Sequence, residues 1–314
     1  MQAEQKAKKM RNRTASRRTF ALLVLGIPLL QFFIFYIYVN FNSILMAFRK
    51  YSIDAIGGGY NVDFAGLTNF KDAFAFLFSS YSGAMLVNSL KLYACNLIIV
   101  MGLALIFSYY IAKKFPLAGF FRVILYLPHI VSGVVLAVLY RYIVTDLYIF
   151  MVESLTGETV LGLIDDVDQQ YNAILFYNIW HGFGLNVMLF TNAMAGINTS
   201  IIESAKLDGA NVVEEFIYIY IPSIFPTFIT FIVTGLAALF TNQMALYAFF
   251  GDTGKNVFSV FGFYLYVSAK DANYVGTDPS YPMLSALGLI ITFVVAPLTL
   301  GVRKLLTKYG PRTD

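Results

Sequence analysis

Of the 314 residues, 58% are hydrophobic and 17% aromatic and only 13% are charged, with a mean hydropathy of +0.68. Soluble domains carry about 25% charge, so this composition excludes a cytosolic enzyme, a secreted disulfide scaffold and a disordered chain. The net charge of +4 comes from bases concentrated in a few segments, and the lone Cys95, inside an apolar block, excludes an intramolecular disulfide or a paired-cysteine redox or zinc motif.

A bilayer core about 30 Å thick takes roughly 20 apolar residues in helical form, because every backbone amide must be satisfied within its own segment. Six stretches meet that length, at about Phe20–Phe41, Met85–Ile111, Gly119–Val144, Asn172–Gly196, Ser223–Phe250 and Pro282–Val302. The chain is therefore predicted to be an all-α membrane protein with six transmembrane helices. Residues 1–19 form a basic segment. The first helix, within 20–48, is too long for a signal-peptide core and has no small-residue cleavage site, so it is expected to be retained. Residues 49–84 follow as an extracellular segment, 85–304 hold the other five helices, and 305–314 form a tail.

Positively charged loops stay cytoplasmic. Lys6, Lys8, Lys9, Arg11, Arg13, Arg17 and Arg18 precede the first span; Lys113, Lys114 and Arg122 follow the second; Arg303, Lys304, Lys308 and Arg312 follow the sixth. Both termini are accordingly placed in the cytoplasm, with the acidic alternate loops, such as Asp165, Asp166 and Asp168, outside. The connection 197–222 is also assigned inside by counting spans, although only Lys206 opposes Glu203, Asp208, Glu214 and Glu215 there.

That connection is read as helix, tight turn, helix. Ser200-Ile-Ile-Glu203 has the spacing of a capping box, in which hydroxyl and carboxylate satisfy each other's backbone N–H groups. Gly209 suits the left-handed residue that ends a helix, Asn211-Val-Val-Glu214 repeats the cap-plus-acid spacing, and Pro222 forbids simple continuation into the fifth span. A hairpin lying on lipid would be rich in Lys and Arg, so the acidic loop is better read as a docking element for something outside the membrane.

Glu203-Ser204-Ala205, Gly209 and Ile219-Tyr220-Ile221-Pro222, at their spacing, resemble the Glu-Ala-Ala…Gly…Ile-x-Leu-Pro loop of the membrane subunits of binding-protein-dependent ABC importers. Ser204 and Ile221 depart from that pattern conservatively. Leu207-Asp208-Gly209-Ala210 with Phe216 is similar to the carbohydrate branch. Gly66-Leu67-Thr68-Asn69-Phe70, Asn88-Ser89-Leu90, Leu127-Pro128 and Ile179-Trp180 extend the similarity over most of the chain.

The resemblance implies a type I ABC importer permease, multi-pass in a bacterial cytoplasmic membrane, with 85–304 as permease core and 197–222 as coupling loop. It implies that Glu203, Ala205, Asp208, Gly209, Ala210, Phe216, Ile219 and Pro222 engage an ATPase subunit. Glu203 has two readings, contact with the ATPase or closure of the capping box, and the fit to the box favours the second. The implied partners are a second, non-identical permease chain, two ATPase subunits and an extracellular solute-binding protein. ATP and magnesium belong to the ATPases, and no cofactor is expected on this chain.

The residues agree that the chain does not power itself by a phosphate-binding loop. Gly254-Lys255 is followed by Asn256, and Phe249 stands where that motif needs glycine. His129 and His181 belong to no ligand-spaced cluster, so no metal site is expected. Nucleic acid is excluded as a partner, because the basic amino terminus abuts a span and reads as an anchor on anionic lipid.

Ion-coupled carriers place acids or bases near the midplane. Here Lys91, Arg122 and Arg141 lie toward span ends, and His129, beside Pro128, is alone expected to lie deep in the spans. A path without fixed charge suits a neutral carbohydrate, an oligosaccharide by the resemblance. Its candidate contacts are Asn88, Tyr93, Asn96, His129, Asn186, Asn192, Asn242, Gln243 and Tyr247. The same groups also fit simple interhelical hydrogen bonding. The competing functions are an ABC importer for another small solute and an ion-coupled secondary carrier.

Overall fold

The computed structural model describes residues 19–20, 22–54, 58–251 and 259–311. The basic run Lys6–Arg18, the pair Gly254-Lys255 and Arg312 lie outside the described residues. In chain order the elements begin with α1 (Leu22–Met46), β1 (Arg49–Asp54), β2 (Gly59–Phe64), α2 (Thr68–Leu77) and α3 (Ser80–Ala112). Next come α4 (Ala118–Ile130), α5 (Gly133–Thr156), α6 (Gln170–Ala195), α7 (Thr199–Leu207) and α8 (Val212–Ser223). The last are α9 (Phe225–Ala237), α10 (Leu246–Phe250), α11 (Phe261–Asp271) and α12 (Tyr281–Tyr309).

Helices α1, α3, α5, α6 and α12 are each long and apolar enough to cross a bilayer, and α8 with α9, bent by 64°, meet the same criterion only as a pair, which makes up to six spans. Two expected spans are corrected. The third apolar block, expected as one helix over Gly119–Val144, is broken where Val131 and Ser132 adopt extended backbone. Its first part, α4, has 13 residues with Pro128 inside, too short to span alone, and the crossing helix α5 starts at Gly133 and runs to Thr156. The fifth span, expected over Ser223–Phe250, instead begins inside the 197–222 connection and ends at Ala237. Met244 and Ala245 then take left-handed backbone conformations, with φ of 53° and 56°, before α10.

Two compact units divide the chain. In the first, Met1–Phe74 with Ala272–Leu289, α1 exposes apolar side chains all round, as a helix facing lipid does: Ile27 is 76% and Phe35 70% exposed. The antiparallel hairpin β1–β2 pairs Arg49 with Phe64 and Asp54 with Gly59. Asn69 fixes its root, donating from Nδ2 to the carbonyls of Ala47 and Arg49, each at 2.9 Å.

The second unit, Ala75–Asp271 with Ile290–Asp314, holds two buried clusters at opposite ends of α6. Ala173, Ile174 and Tyr177 pack with Leu136, Tyr140, Phe249 and Phe263. Val187, Phe190 and Met194 pack with Met101, Tyr109, Tyr220 and Ile224. Between them α4 crosses α6 at Gly184, where a side chain would overlap the Leu125 carbonyl. Small residues permit such close helix approach in a membrane, where dispersion contacts replace the hydrophobic drive.

Candidate functional site

The connection between α6 and α9 folds as a capped hairpin. Asn198, not Ser200, caps α7: its Oδ1 accepts from the Ser200 N–H at 3.1 Å. Because Asn198 already takes extended backbone, the helix starts at Thr199, so Ser200 lies within it and the expected Ser200–Glu203 box does not form. The Glu203 side chain is instead exposed and makes no hydrogen bond or ion pair among the described residues. The second box is present. Asn211 Oδ1 accepts from the N–H of Val213 at 2.9 Å and of Glu214 at 3.0 Å, and Glu214 Oε2 accepts from the Asn211 N–H at 2.8 Å.

Gly209 makes the turn between α7 and α8 at φ +85°, a conformation that costs an L residue strain, and no atom lies within 4 Å of where its Cβ would sit. Asp208 ends α7 with its side chain exposed, and Ala205 and Ala210 are half-buried beneath the turn. Leu207 is 89% exposed and Val213 63%, an apolar rim flanking the free carboxylates of Glu203 and Asp208. Phe216 and Ile219 face the buried cluster at this end of α6, and Pro222 sits two residues before the bend at Ile224.

The hairpin is anchored on the end of α3. Lys113 Nζ lies 2.7 Å from both carboxylate oxygens of Glu215, whose side chain is 3% exposed. Tyr109 donates its hydroxyl to the Val212 carbonyl at 2.9 Å, and its ring lies 4.9 Å from Phe216 and 4.8 Å from Tyr220. None of these partners of the hairpin stood out in the sequence as a functional residue, because no local spacing links positions so far apart.

Farther along the same helices is a cavity of about 210 Å³. Tyr93, Asn96, Asn186 and Asn242 line it, with Ser89, Phe231, Thr234 and Gly235, which sequence reasoning did not single out. The one signal for Thr234 was its place one turn after Thr230, whose carbonyl it caps at 2.8 Å. No Asp, Glu, Lys, Arg or His lines the cavity. Asn96 and Asn186 each donate to the carbonyl one turn back, at 2.9 Å, leaving Oδ1 without a donor among the described residues. Tyr93 donates to the Ile232 carbonyl at 3.2 Å, and Asn242 Oδ1 accepts from the Met244 N–H at 2.8 Å. The walls thus offer acceptors at Asn96 and Asn186, a donor at Asn242 Nδ2, and the aromatic rings of Tyr93 and Phe231.

The other path residues lie elsewhere. Asn88 donates to the Ser259 carbonyl at 3.1 Å and tethers that segment. His129 stands 5.5 Å from the His181 ring, its Nδ1 buried and without a partner among the described residues. Asn192 lines a separate, mostly apolar cavity of about 270 Å³ with Arg122 and Tyr126. Gln243 is half-buried next to Asn242, and Tyr247 accepts from Lys270 Nζ at 2.9 Å.

Residues 99–313 match the family model described as binding-protein-dependent transport system inner membrane component. Protein LplB of Bacillus subtilis is 25% identical over 301 residues, covering 94% of this chain and 91% of that protein. The multiple sugar-binding transport system permease protein MsmF of Streptococcus mutans is 23% identical, covering 90% and 93%. The arabinooligosaccharides transport system permease protein AraP of Halalkalibacterium halodurans is 22% identical, covering 89% and 85%. A chain of a bacterial ABC transporter involved in the import of the acidic polysaccharide alginate superposes with a TM-score of 0.72 at 20% identity, over 95% of this chain and 99% of that one. The fold is therefore shared.

Proposed function

From the premise that this chain belongs to the binding-protein-dependent transport system inner membrane components, we propose that it forms half of an ATP-driven import path for a neutral carbohydrate, an oligosaccharide in particular. The observation that carries the proposal is the cavity walled by Tyr93, Asn96, Asn186, Phe231 and Asn242, polar and aromatic but without a fixed charge. A neutral sugar presents hydroxyls that pair with amides and faces that pack on rings. An anionic solute would call for a cation in the wall, and an ion-coupled carrier for a midplane acid or base. The names of the sugar-transporting relatives MsmF and AraP support the same substrate class.

In this reading the chain is a transport subunit that breaks no covalent bond and binds no nucleotide. A second, similar permease chain completes the path, and an extracellular binding protein delivers solute. Two ATPase subunits hold ATP and magnesium and grip the hairpin α7–α8 on the cytoplasmic side. The exposed Leu207 and Val213 would enter an apolar groove there, with Glu203 and Asp208 at its rim. Closing of the ATPases displaces the hairpin and shifts the cavity between outward and inward states. These need differ by only a few kcal/mol for nucleotide and loaded receptor to move the population.

The test is uptake by vesicles holding the chain with the partners that copurify with it. ATP-dependent accumulation of a labelled oligosaccharide, with amino acids and phosphate excluded, is the expected result. Accumulation driven by an imposed proton or sodium gradient without ATP overturns it.

A further inference from the structure

Three helices, α3, α6 and α9, wall the polar cavity together with Ala238, Leu239 and Asn242 of the segment after α9. The hairpin is joined to two of them through the backbone. Helix α6 ends at Ala195, just before the Asn198 cap of α7, and α8 runs into α9 through the bend at Ile224. Any displacement of the hairpin therefore reaches α6 and α9 directly. Helix α3 has no such connection, yet it contributes Ser89, Leu92, Tyr93, Asn96, Leu97 and Met101 to the wall.

Helix α3 packs along α6, where Ser108 donates to the Val187 carbonyl at 2.8 Å, and it meets the hairpin itself at its far end. Lys113, the residue that caps it, meets both oxygens of the buried Glu215 at 2.7 Å, and Tyr109, one turn earlier, holds the Val212 carbonyl. We propose that the Lys113–Glu215 pair is the positioning contact that makes α3 move with the hairpin, so that one displacement reaches all three walls of the cavity. This rests on the reading of the chain as an ATP-driven permease.

The chemistry suits a link that transmits pull as well as push. Drawing the two groups apart leaves a carboxylate buried without its counter-ion, a strongly unfavourable state, so the pair resists extension. The ring of Tyr109 against Phe216 and Tyr220 resists sideways slip. Between the pair and Tyr93 lies the π-helical segment Asn96–Val100, where the hydrogen-bond register of α3 is already altered. π-helical turns of this kind occur frequently at functional sites. A salt bridge that served stability alone would sit as well on any two helices; this one joins to the hairpin the one helix of the wall that does not run directly into it.

The experiment measures ATP hydrolysed and labelled solute imported in the same vesicles containing the complete transporter. Lys113→Met and Glu215→Gln are expected to assemble and to hydrolyse ATP within about twofold of the parent, while solute moved per ATP falls about tenfold. The exchange Lys113→Glu with Glu215→Lys is expected to recover most of that ratio, and Lys113→Arg to retain it. Tyr109→Phe keeps the packed ring and removes one hydrogen bond; it is expected to lower the ratio about threefold, and it decides the matter should the charge variants not assemble. An unchanged ratio in Tyr109→Phe or in the assembled charge variants overturns the inference, as does a parallel fall of hydrolysis and uptake. Either result in a parent that imports only with ATP leaves the proposed function standing. A parent that imports without any ATPase overturns that function instead.

Discussion

Asn178 on α6 donates from Nδ2 to the carbonyl of Met244, 2.9 Å away, and to the carbonyl of Ile174 at 2.8 Å. One amide thereby pins the left-handed Met244–Ala245 turn to the rigid helix beside it. The turn carries no glycine, so its backbone strain must be held by neighbours. Asn178→Ala is expected to cost about 1–2 kcal/mol, the loss of bonds to partly buried carbonyls, seen as a lowered melting temperature of the purified transporter. Asn242 leads into the same turn, so the KM for solute should rise as well.

Within the cavity, Asn96 and Asn186 present amide oxygens that no donor among the described residues satisfies. A sugar hydroxyl supplies that donor. Asn96→Ala and Asn186→Ala are each expected to raise the KM for the labelled oligosaccharide about fivefold, in keeping with about 1 kcal/mol for one net hydrogen bond. Assembly with the ATPase, measured by copurification, is expected to remain.

The spans α1, α3, α6 and α12 were legible because each is predominantly apolar over at least the length of a bilayer, and bilayer thickness translates such a stretch directly into a helix. The third block was not: the Ser132-Gly133 dipeptide at its break is a turn signal, but the apolar runs on both sides outweighed it. Pro128 lies inside α4 rather than at its end. At the hairpin, Asn211 and Glu214 were readable as a box, whereas Asn198 took the cap two residues before Ser200. Asn, Ser and Asp cap almost equally well, so spacing alone does not choose among them. Chemistry picked out Tyr93, Asn96, Asn186 and Asn242, which share a cavity, but equally Asn88 and Asn192, which do not. Polarity says that a group needs a partner and not whether the partner is a helix or a solute. The Lys113–Glu215 pair spans 102 positions and had no local signal at all.

Glu214 and Glu203 occupy matching positions in the two expected boxes, yet only Glu214 returns a hydrogen bond to its cap. Their alanine variants should therefore separate. Glu214→Ala is expected to destabilise the hairpin by about 0.5–1 kcal/mol, read as faster hydrogen exchange over 211–216. Glu203→Ala is expected to leave that exchange unchanged and to weaken copurification of the ATPase. Exchange rates that respond equally to both substitutions contradict the assignment.

Gly209 separates two roles for glycine, backbone conformation and space. Open volume surrounds its missing Cβ, so within this chain only its φ of +85° demands it. Asparagine tolerates left-handed backbone and valine does not. If conformation alone matters, Gly209→Asn should retain most ATPase binding, while Gly209→Val loses about 1–2 kcal/mol of hairpin stability and with it most of the copurified ATPase. If the ATPase approaches the turn closely, both variants should lose binding, with the asparagine hairpin still folded by hydrogen exchange. The docking reading of α7–α8 expects this second pattern, because the exposed Leu207 and Val213 on either side of the turn would bring a partner surface down onto Gly209 itself. Full binding and full uptake in Gly209→Val would remove the hairpin from the coupling path.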